Sequence, residues 1–376
     1  MTTRRVLISG AGIAGATAAH WLARAGWDVT VVEKAAAIRS SGNPIDVRGD
    51  AASVVHAMGV WSRLRAAATG VDRLVVVDDA GHPLATMDTR RTTDPEQEVE
   101  VPRADLAAAL LDAARDKARI MVGDSITGLE QDAAGVDVTF ARGTHRRFDL
   151  VLGADGLHSG VRRLVFGPEE RFAVPFGMFV GTMRTGIETG DPRALRLFNR
   201  PGVSLSIHPG TGQPLAAFIF RSDHRHDRHD PQARNRLVRD AYTGRGWISD
   251  RAVAEWVAAD DVYFDAVTRI RMPTWTMGRV SLLGDAADCV SLLGDGSSNA
   301  IVAARTLADA VAAQPDDLPA ALAGYERTHR ARLRSVQRRA GSNAHWLVPT
   351  TRLGLAVRNG AVRASSLLHR VSRQPG

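Results

Sequence analysis

The chain has 376 residues, 44% hydrophobic and 24% charged, a composition ordinary for a globular protein and long enough for two cores. A single cysteine, Cys289, excludes a disulfide scaffold and a cysteine-built zinc or iron–sulfur centre, and no run of about 18 apolar residues exists to cross a bilayer. The net charge of +7 is uneven: residues 327–376 hold eleven arginines and no acid, and removing those from 48 basic residues leaves 37 against 41 acids elsewhere. Only Trp346 accompanies those arginines, so the base-stacking surface of a nucleic-acid binder is missing and no nucleic-acid partner is expected.

Read in chain order, Arg4-Arg5 followed by apolar and small residues has the outline of a twin-arginine or secretory signal. A βαβ unit explains more of the same residues. Residues 6–9 form a buried strand, Gly10-Ala11-Gly12-Ile13-Ala14-Gly15 turns it into a helix running to Gly26, and residues 29–33 form the next strand. On this reading the N-terminus is part of the fold and the protein is cytoplasmic. Residues 50–68 follow as a helix interrupted at Gly59. Strands at 73–77 and 83–87 flank Asp78-Asp79-Ala80-Gly81, a hairpin signal. Helix returns at 104–118, with short strands near 120–122, 136–140 and 150–152. From 176 to 267 the pattern is β-rich, with strands at 178–184, 203–208, 216–221 and 262–266 and one helix around 232–242. A strand at 279–283 and a helix at 298–313 complete the pattern. The expected fold is α/β: a Rossmann-like nucleotide lobe from 1–72, 99–172 and 274–345, an inserted β-rich lobe from 73–98 and 173–273, and a C-terminal helix over 346–376.

Gly10, Gly12 and Gly15 have the spacing that allows a tight turn, close backbone approach to a pyrophosphate, and close helix–strand packing. The phosphates would rest on the helix N-terminus, where unpaired N–H groups and the dipole favour negative charge. Glu33, 18 residues after Gly15, ends the second strand where it can accept hydrogen bonds from ribose hydroxyls. An acid there argues against a bound 2′-phosphate, leaving FAD or NAD.

Two later segments discriminate between them. Asp149-Leu-Val-Leu-Gly-Ala-Asp155-Gly156-Leu-His158-Ser159-Gly-Val-Arg162 is a strand running into an Asp-Gly turn. Gly278-Arg279-Val-Ser-Leu-Leu-Gly284-Asp285-Ala-Ala is a strand ending in Gly-Asp, followed by Gly294-Asp295-Gly296-Ser-Ser-Asn299 and a helix. With the N-terminal glycines these resemble the three fingerprints of the class A flavoprotein monooxygenases, which share the para-hydroxybenzoate hydroxylase fold. The polyketide-tailoring and tetracycline-modifying branch is the nearest in pattern. Asn43-Pro-Ile-Asp46-Val-Arg48-Gly49, Val101-Pro-Arg103-Ala-Asp105-Leu106 and Tyr263-Phe-Asp265 extend the likeness, which runs to about Arg339.

The resemblance implies that the nucleotide lobe binds FAD, as in the glutathione-reductase-like fold. It implies cofactor contacts at Gly10, Gly12, Ala14, Gly15, Glu33, Lys34, Arg103, Asp155, Asp285, Gly296 and Asn299. Arg103 would neutralise the phosphate side, Asp285 would bond the ribityl chain, and Asp155 would add a second part with the nicotinamide. NADPH or NADH would visit transiently as reductant, since no second glycine motif exists. Oxygen chemistry at flavin C4a would then transfer one atom of O2 to a hydrophobic aromatic or polyketide-like molecule, as in antibiotic biosynthesis. The substrate cavity is expected under the β-rich lobe, facing 178–184 and 204–208, with Arg184 as its polar candidate. A monomer or homodimer fits this function.

The chain also departs from the family. Asp288, Ser291 and Leu292 stand where a His or Tyr and a proline are common, and the glycines at 294 and 296 come one position early. Asp295, the one charge in that segment, either points to water or alters the flavin; the expected direction is water, because a buried unpaired carboxylate is costly. The altered segment motivates an alternative, a flavin-bound cyclase or rearrangement enzyme that does not oxygenate. A plain NAD dehydrogenase would have to ignore the Gly-Asp motif. His224, His226 and His229, interleaved with charges, read as a solvated loop and not a metal site. Cys289 reads as a small buried residue, His158 as a surface residue at a helix start, and Ser297 and Ser298 lack a hydrolase elbow. The 353–371 stretch is expected to pack on the nucleotide lobe, with a membrane-surface helix as the rival reading.

Overall fold

The computed structural model describes residues 3–36, 44–89, 94, 96–210, 212–224, 230–292 and 295–371, with side chains as far as residue 361. Asn43, His226, His229 and Gly294 of the motifs above lie outside the described residues, as do the side chains of 362–371 in the terminal stretch.

The apolar runs 6–8, 29–32 and 150–152 become strands buried on both faces, as parallel strands covered by helices must be. β1 (Arg5–Ser9), β2 (Asp28–Glu33), β7 (Ala118–Val122), β11 (Leu150–Gly153) and β18 (Val280–Leu282) run parallel, with β17 (Thr276–Met277) antiparallel at the edge, in the order β17-β18-β11-β1-β2-β7. Covering this sheet are α1 (Ile13–Arg24), α4 (Arg103–Arg115), α9 (Gly296–Ala313) and α10 (Leu318–Leu347). Their apolar faces join Val6, Leu7, Ile8, Val31 and Leu152 in one core. Smaller elements flank it: a ribbon of β3 (Ile45–Arg48) and β6 (Glu98–Val101), a three-stranded sheet of β8 (Ile126–Gln131), β9 (Val136–Phe140) and β10 (His145–Phe148), and α5 (Gly160–Val165). Gly59, at φ +76°, separates α2 (Asp50–Ala57) from α3 (Trp61–Ala66), which accounts for the expected interruption.

The β-rich stretch forms a second sheet in the order β16-β12-β15-β14-β13-β4-β5. Its strands are β4 (Arg73–Val77), β5 (Pro83–Asp88), β12 (Ala173–Arg184), β13 (Ala194–Arg200), β14 (Val203–His208), β15 (Leu215–Arg221) and β16 (Val262–Ile270). The early hairpin β4–β5 joins strands contributed by the much later segment through parallel pairing of β4 with β13. One face packs on α6 (Pro231–Tyr242) and α7 (Ser249–Ala258) through Phe179, Phe198, Phe218, Phe220, Tyr242 and Trp256. Trp256 lies so close to β12 that a Cβ at Gly181 would stand 2.6 Å from its ring. The alternation of β12 sends Phe179 and Met183 into this core and turns Val180 and Thr182 to the opposite face.

Two expectations are corrected. α7 falls where a β-rich stretch is expected, although Ala252, Val253 and Trp256 have helical spacing; the helix is short and preceded by Gly244 and Gly246 turns. The terminal helix α11 (Arg352–Val371) packs on β5 and β13 of the second sheet, where the nucleotide lobe is the expected partner. Among the described residues no helix is long and apolar enough to cross a membrane.

Candidate functional site

A cavity of about 560 Å³ lies between the two sheets. The C-terminal ends of the parallel strands open into it, the place where open α/β sheets take ligands. Ala11, Gly12 and Ile13 line it at the start of α1, Arg103 at the start of α4, and Gly296, Ser297 and Ser298 at the start of α9. Asp285, the first residue of the short helix α8 (Asp285–Asp288), joins them. Three helices of twelve residues or more therefore aim their positive ends at one volume. The far wall is the second sheet, through Val180, Thr182 and Tyr263, with Val290 and Leu292 between.

The three motif glycines have different duties. Gly10 has φ +101°, and a Cβ there would lie 2.5 Å from the carbonyl oxygen of Ala154. A Cβ on Gly15 would meet the Gly10 carbonyl oxygen at 1.9 Å, so this position sets the approach of α1 to β1. Gly12 is the opposite case: its Cβ would meet no protein atom within 4 Å, because that side faces the cavity. No side chain caps α1 and no acid stands in its first turn, which leaves its N-terminal end free for an anion.

Glu33 lines the cavity with each carboxylate oxygen accepting one backbone N–H at 2.9 Å, from Ala11 and from Ala35. Each oxygen keeps a lone pair for a ligand hydroxyl. Arg103 lines the cavity beside Tyr263, and among the described residues no acceptor engages its guanidinium. Burial pushes the Tyr263 phenol up, so it stays a hydroxyl donor. Asp285 and Gly296 also line the cavity, and Gly284 brings the Gly-Asp turn onto α1, where its Cβ would stand 3.0 Å from that of Ala14. Ala14 is therefore a packing residue behind the cavity wall.

Other expected positions fall elsewhere. Lys34 is exposed and outside the lining. Asp155 accepts from the Ser159 hydroxyl and from the N–H groups of Gly160 at 2.8 Å and Val161 at 3.1 Å, which makes it the anchor of α5 and not a wall of the cavity. Asn299 lines a separate space of about 10 Å³ behind Asp285 and Gly296. Arg184 is at the exposed end of β12, where it donates to the Gln213 carbonyl at 3.0 Å; the cavity takes Thr182 from that strand instead. The stretch 204–208 is likewise absent from the lining. Cys289 is buried, as expected, and lines the cavity with its thiol pushed up by burial. Among the described residues no group of side chains could hold a metal ion.

The divergent segment is built differently from the N-terminal cradle. Leu292 and Asp295 both adopt left-handed backbone, at φ 61° and 47°. Asp295 lines the cavity beside Gly296 with its side chain 59% exposed, and both its oxygens accept from Arg48 Nη2, at 2.8 and 2.7 Å. The side chain is exposed, as the reading toward water expects, but it also borders the cavity, and it meets a cation that the spacing does not suggest. Asp288, its side chain 12% exposed, lies 3.9 Å from the imidazole of His329, and desolvation pushes its carboxyl above the ordinary carboxylate range. His158 is not a surface residue. It is half-buried, with Nδ1 3.0 Å from Glu169 and Nε2 2.9 Å from Asp265 on β16.

These features fit FAD: a glycine side left open beside a bare helix end for the pyrophosphate, an acid at the end of β2 for ribose, and an unengaged arginine for phosphate charge. Fold and site thus define a dinucleotide-binding α/β flavoprotein with a second, β-rich sheet closing its cavity.

The chain belongs to the FAD binding domain family, whose profile spans residues 3–340. A flavin-dependent monooxygenase of Legionella longbeachae is 33% identical over 311 residues, covering 81% of this chain and 79% of that protein. The tetracycline destructase Tet(55) superposes with a TM-score of 0.84 at 29% identity, covering 97% of this chain and 96% of that one. Klebsiella pneumoniae HpxO, solved with FAD and uric acid, shares the fold at TM-score 0.78 and 22% identity, covering 98% and 95% of the two chains. This protein is accordingly a flavoprotein monooxygenase of class A, and its cofactor is FAD.

Proposed function

We propose that this monooxygenase takes its electrons from NADPH or NADH and inserts one atom of O2 into a hydrophobic aromatic or polyketide-like molecule. The observation that carries the proposal is the continuity of the cavity: one volume runs from the α1 cradle to Val180, Thr182 and Tyr263 on the second sheet. Likeness to a tetracycline destructase supports a polycyclic polyketide as the substrate class. When bound, FAD supplies the redox and oxygen-activating chemistry. The chain's own part is binding and exclusion of water. The α1 N-terminus and Arg103 hold the phosphates, Glu33 accepts from the ribose, and Asp285 bonds the chain linking phosphate to ring. Gly296, Ser297 and Ser298 present the positive end of α9 to the region where reduction places negative charge. Val290 and Leu292 keep the passage apolar, and the Tyr263 hydroxyl donates to a polar group of the substrate. The proposal takes the 173–273 segment with 73–98 as the substrate lobe, and the protein as a cytoplasmic monomer or homodimer serving antibiotic-type tailoring chemistry.

The test is NAD(P)H oxidation by the purified flavoprotein against a panel of phenols and polycyclic polyketides, with O2 uptake recorded in parallel. The proposal expects a member of the panel to stimulate both in equal amounts and to gain one oxygen atom. Conversion of such a compound without O2 uptake would favour the non-oxygenating alternative, which the left-handed residues Leu292 and Asp295 of the altered segment motivate.

A further inference from the structure

A half-buried charge network links the cofactor wall to the substrate wall through His158. Its two ring nitrogens face two carboxylates from different parts of the fold: Glu169, in the 3-10 turn Glu169–Arg171, and Asp265, 107 residues away on β16. The side chains are 33% (His158), 31% (Glu169) and 15% (Asp265) exposed, so all three are largely withdrawn from water. Arg162, fully buried, shares Glu169 at 2.8 Å and donates to the carbonyls of Leu157 and of Ala286, the residue after Asp285. Asp155 acts on Arg162 from the turn behind it. Leu157 and Asp285 line the cavity on the cofactor side. On the other side, Asp265 is two residues from Tyr263 and so on the same face of β16.

We propose that His158, as an imidazolium held between Glu169 and Asp265, is a positioning residue that fixes the Tyr263 edge of the substrate sheet against the cofactor wall. A neutral imidazole has one N–H and can donate to only one of the two carboxylates; the charged ring donates to both. The carboxylates, Asp265 first and Glu169 second, raise His158 from its ordinary 6.5 to about 9. A raised folded value means that the tie contributes fully below about pH 6.5, weakens as pH climbs, and is gone above about 9. Its effect on turnover rests on the monooxygenase reading; the tie itself does not.

Hydrogen exchange of the FAD-loaded protein, corrected for the intrinsic pH dependence, separates the two. For wild type, amides of residues 262–266 should be fully protected up to about pH 6.5, lose protection progressively above it, and level off above about 9. In H158Q they should exchange about tenfold faster at pH 7, with no further pH step and with FAD retained. Asp265→Asn keeps the ring but removes its stronger partner, so the step should move to lower pH; this arm stands even where H158Q fails to fold. With substrate, H158Q should raise KM more than it lowers kcat. Exchange that is flat through pH 7–10 in wild type, or the same in H158Q, would overturn the proposal whether or not the enzyme oxygenates.

Discussion

Glu33 shows how one carboxylate serves both the fold and the ligand. Its oxygens take the N–H groups of Ala11 and Ala35, which closes the glycine turn against β2, and keep the outward lone pairs at the cavity. Glu33→Ala should weaken FAD binding by about 1.5–3 kcal/mol, the worth of a hydrogen bond to a charged acceptor; flavin fluorescence titration with undiminished affinity would refute the role. Asp295 should behave differently. Its charge is matched by Arg48 and 59% exposed, so Asp295→Asn should leave the flavin reduction potential nearly unchanged. A strong upward shift would show that the acid acts on the ring. Single residues were legible in the sequence where their partners are close in the chain. Glu33 lies 22 residues from Ala11 and follows from the spacing of the glycine motif. Arg48 and Asp295 are 247 residues apart, and no local pattern joins them. His158 was misread for the same reason, because Asp265 is 107 residues away. Arg184 failed on direction: strand alternation selects a face, but not whether the last side chain bends over the cavity or out to Gln213.

At the scale of elements, the β1–α1–β2 unit combines a packing constraint with a binding constraint three residues apart. Gly15→Ala would drive a Cβ into the Gly10 carbonyl, so it should cost about 1–3 kcal/mol of stability and lower Tm even without flavin. Gly12→Ala meets no protein atom within 4 Å and has an ordinary backbone at φ −72°, so the apoprotein should melt like wild type. Its FAD affinity should fall about tenfold or more, because the methyl occupies space reserved for the pyrophosphate. Equal melting of the two variants would remove the distinction. Strands covered on both faces, such as β1 and β11, are plain in the sequence because they are unbroken apolar runs. α7 was hidden because ten residues give few turns for a period to register, and its key contact, Trp256 over Gly181, is tertiary.

Across the whole molecule, the chain passes between the two sheets more than once. The early hairpin β4–β5 joins the second sheet through β4, which pairs with β13, contributed more than a hundred residues later. The cavity therefore closes only when both long-range sheets have formed, with helix N-termini on one side and β12 and β16 on the other. The α/β rhythm, the β-rich insertion and the glycine and Gly-Asp turns were readable along the chain; the seating of α11 on the second sheet was not, since an amphipathic helix does not name the surface that covers it. The central claim is that this cavity is built for FAD, with Arg103 and Asp285 facing the cofactor instead of supporting the fold. Calorimetric titration of flavin-stripped protein tests it most directly, for wild type, Arg103→Ala and Asp285→Ala, alongside circular dichroism of each apoprotein. One FAD should bind per wild-type chain, with markedly weaker binding in both variants and unchanged dichroism. Absence of FAD binding by wild type, or variants that bind as wild type does, or that lose their fold before any flavin is added, would contradict it.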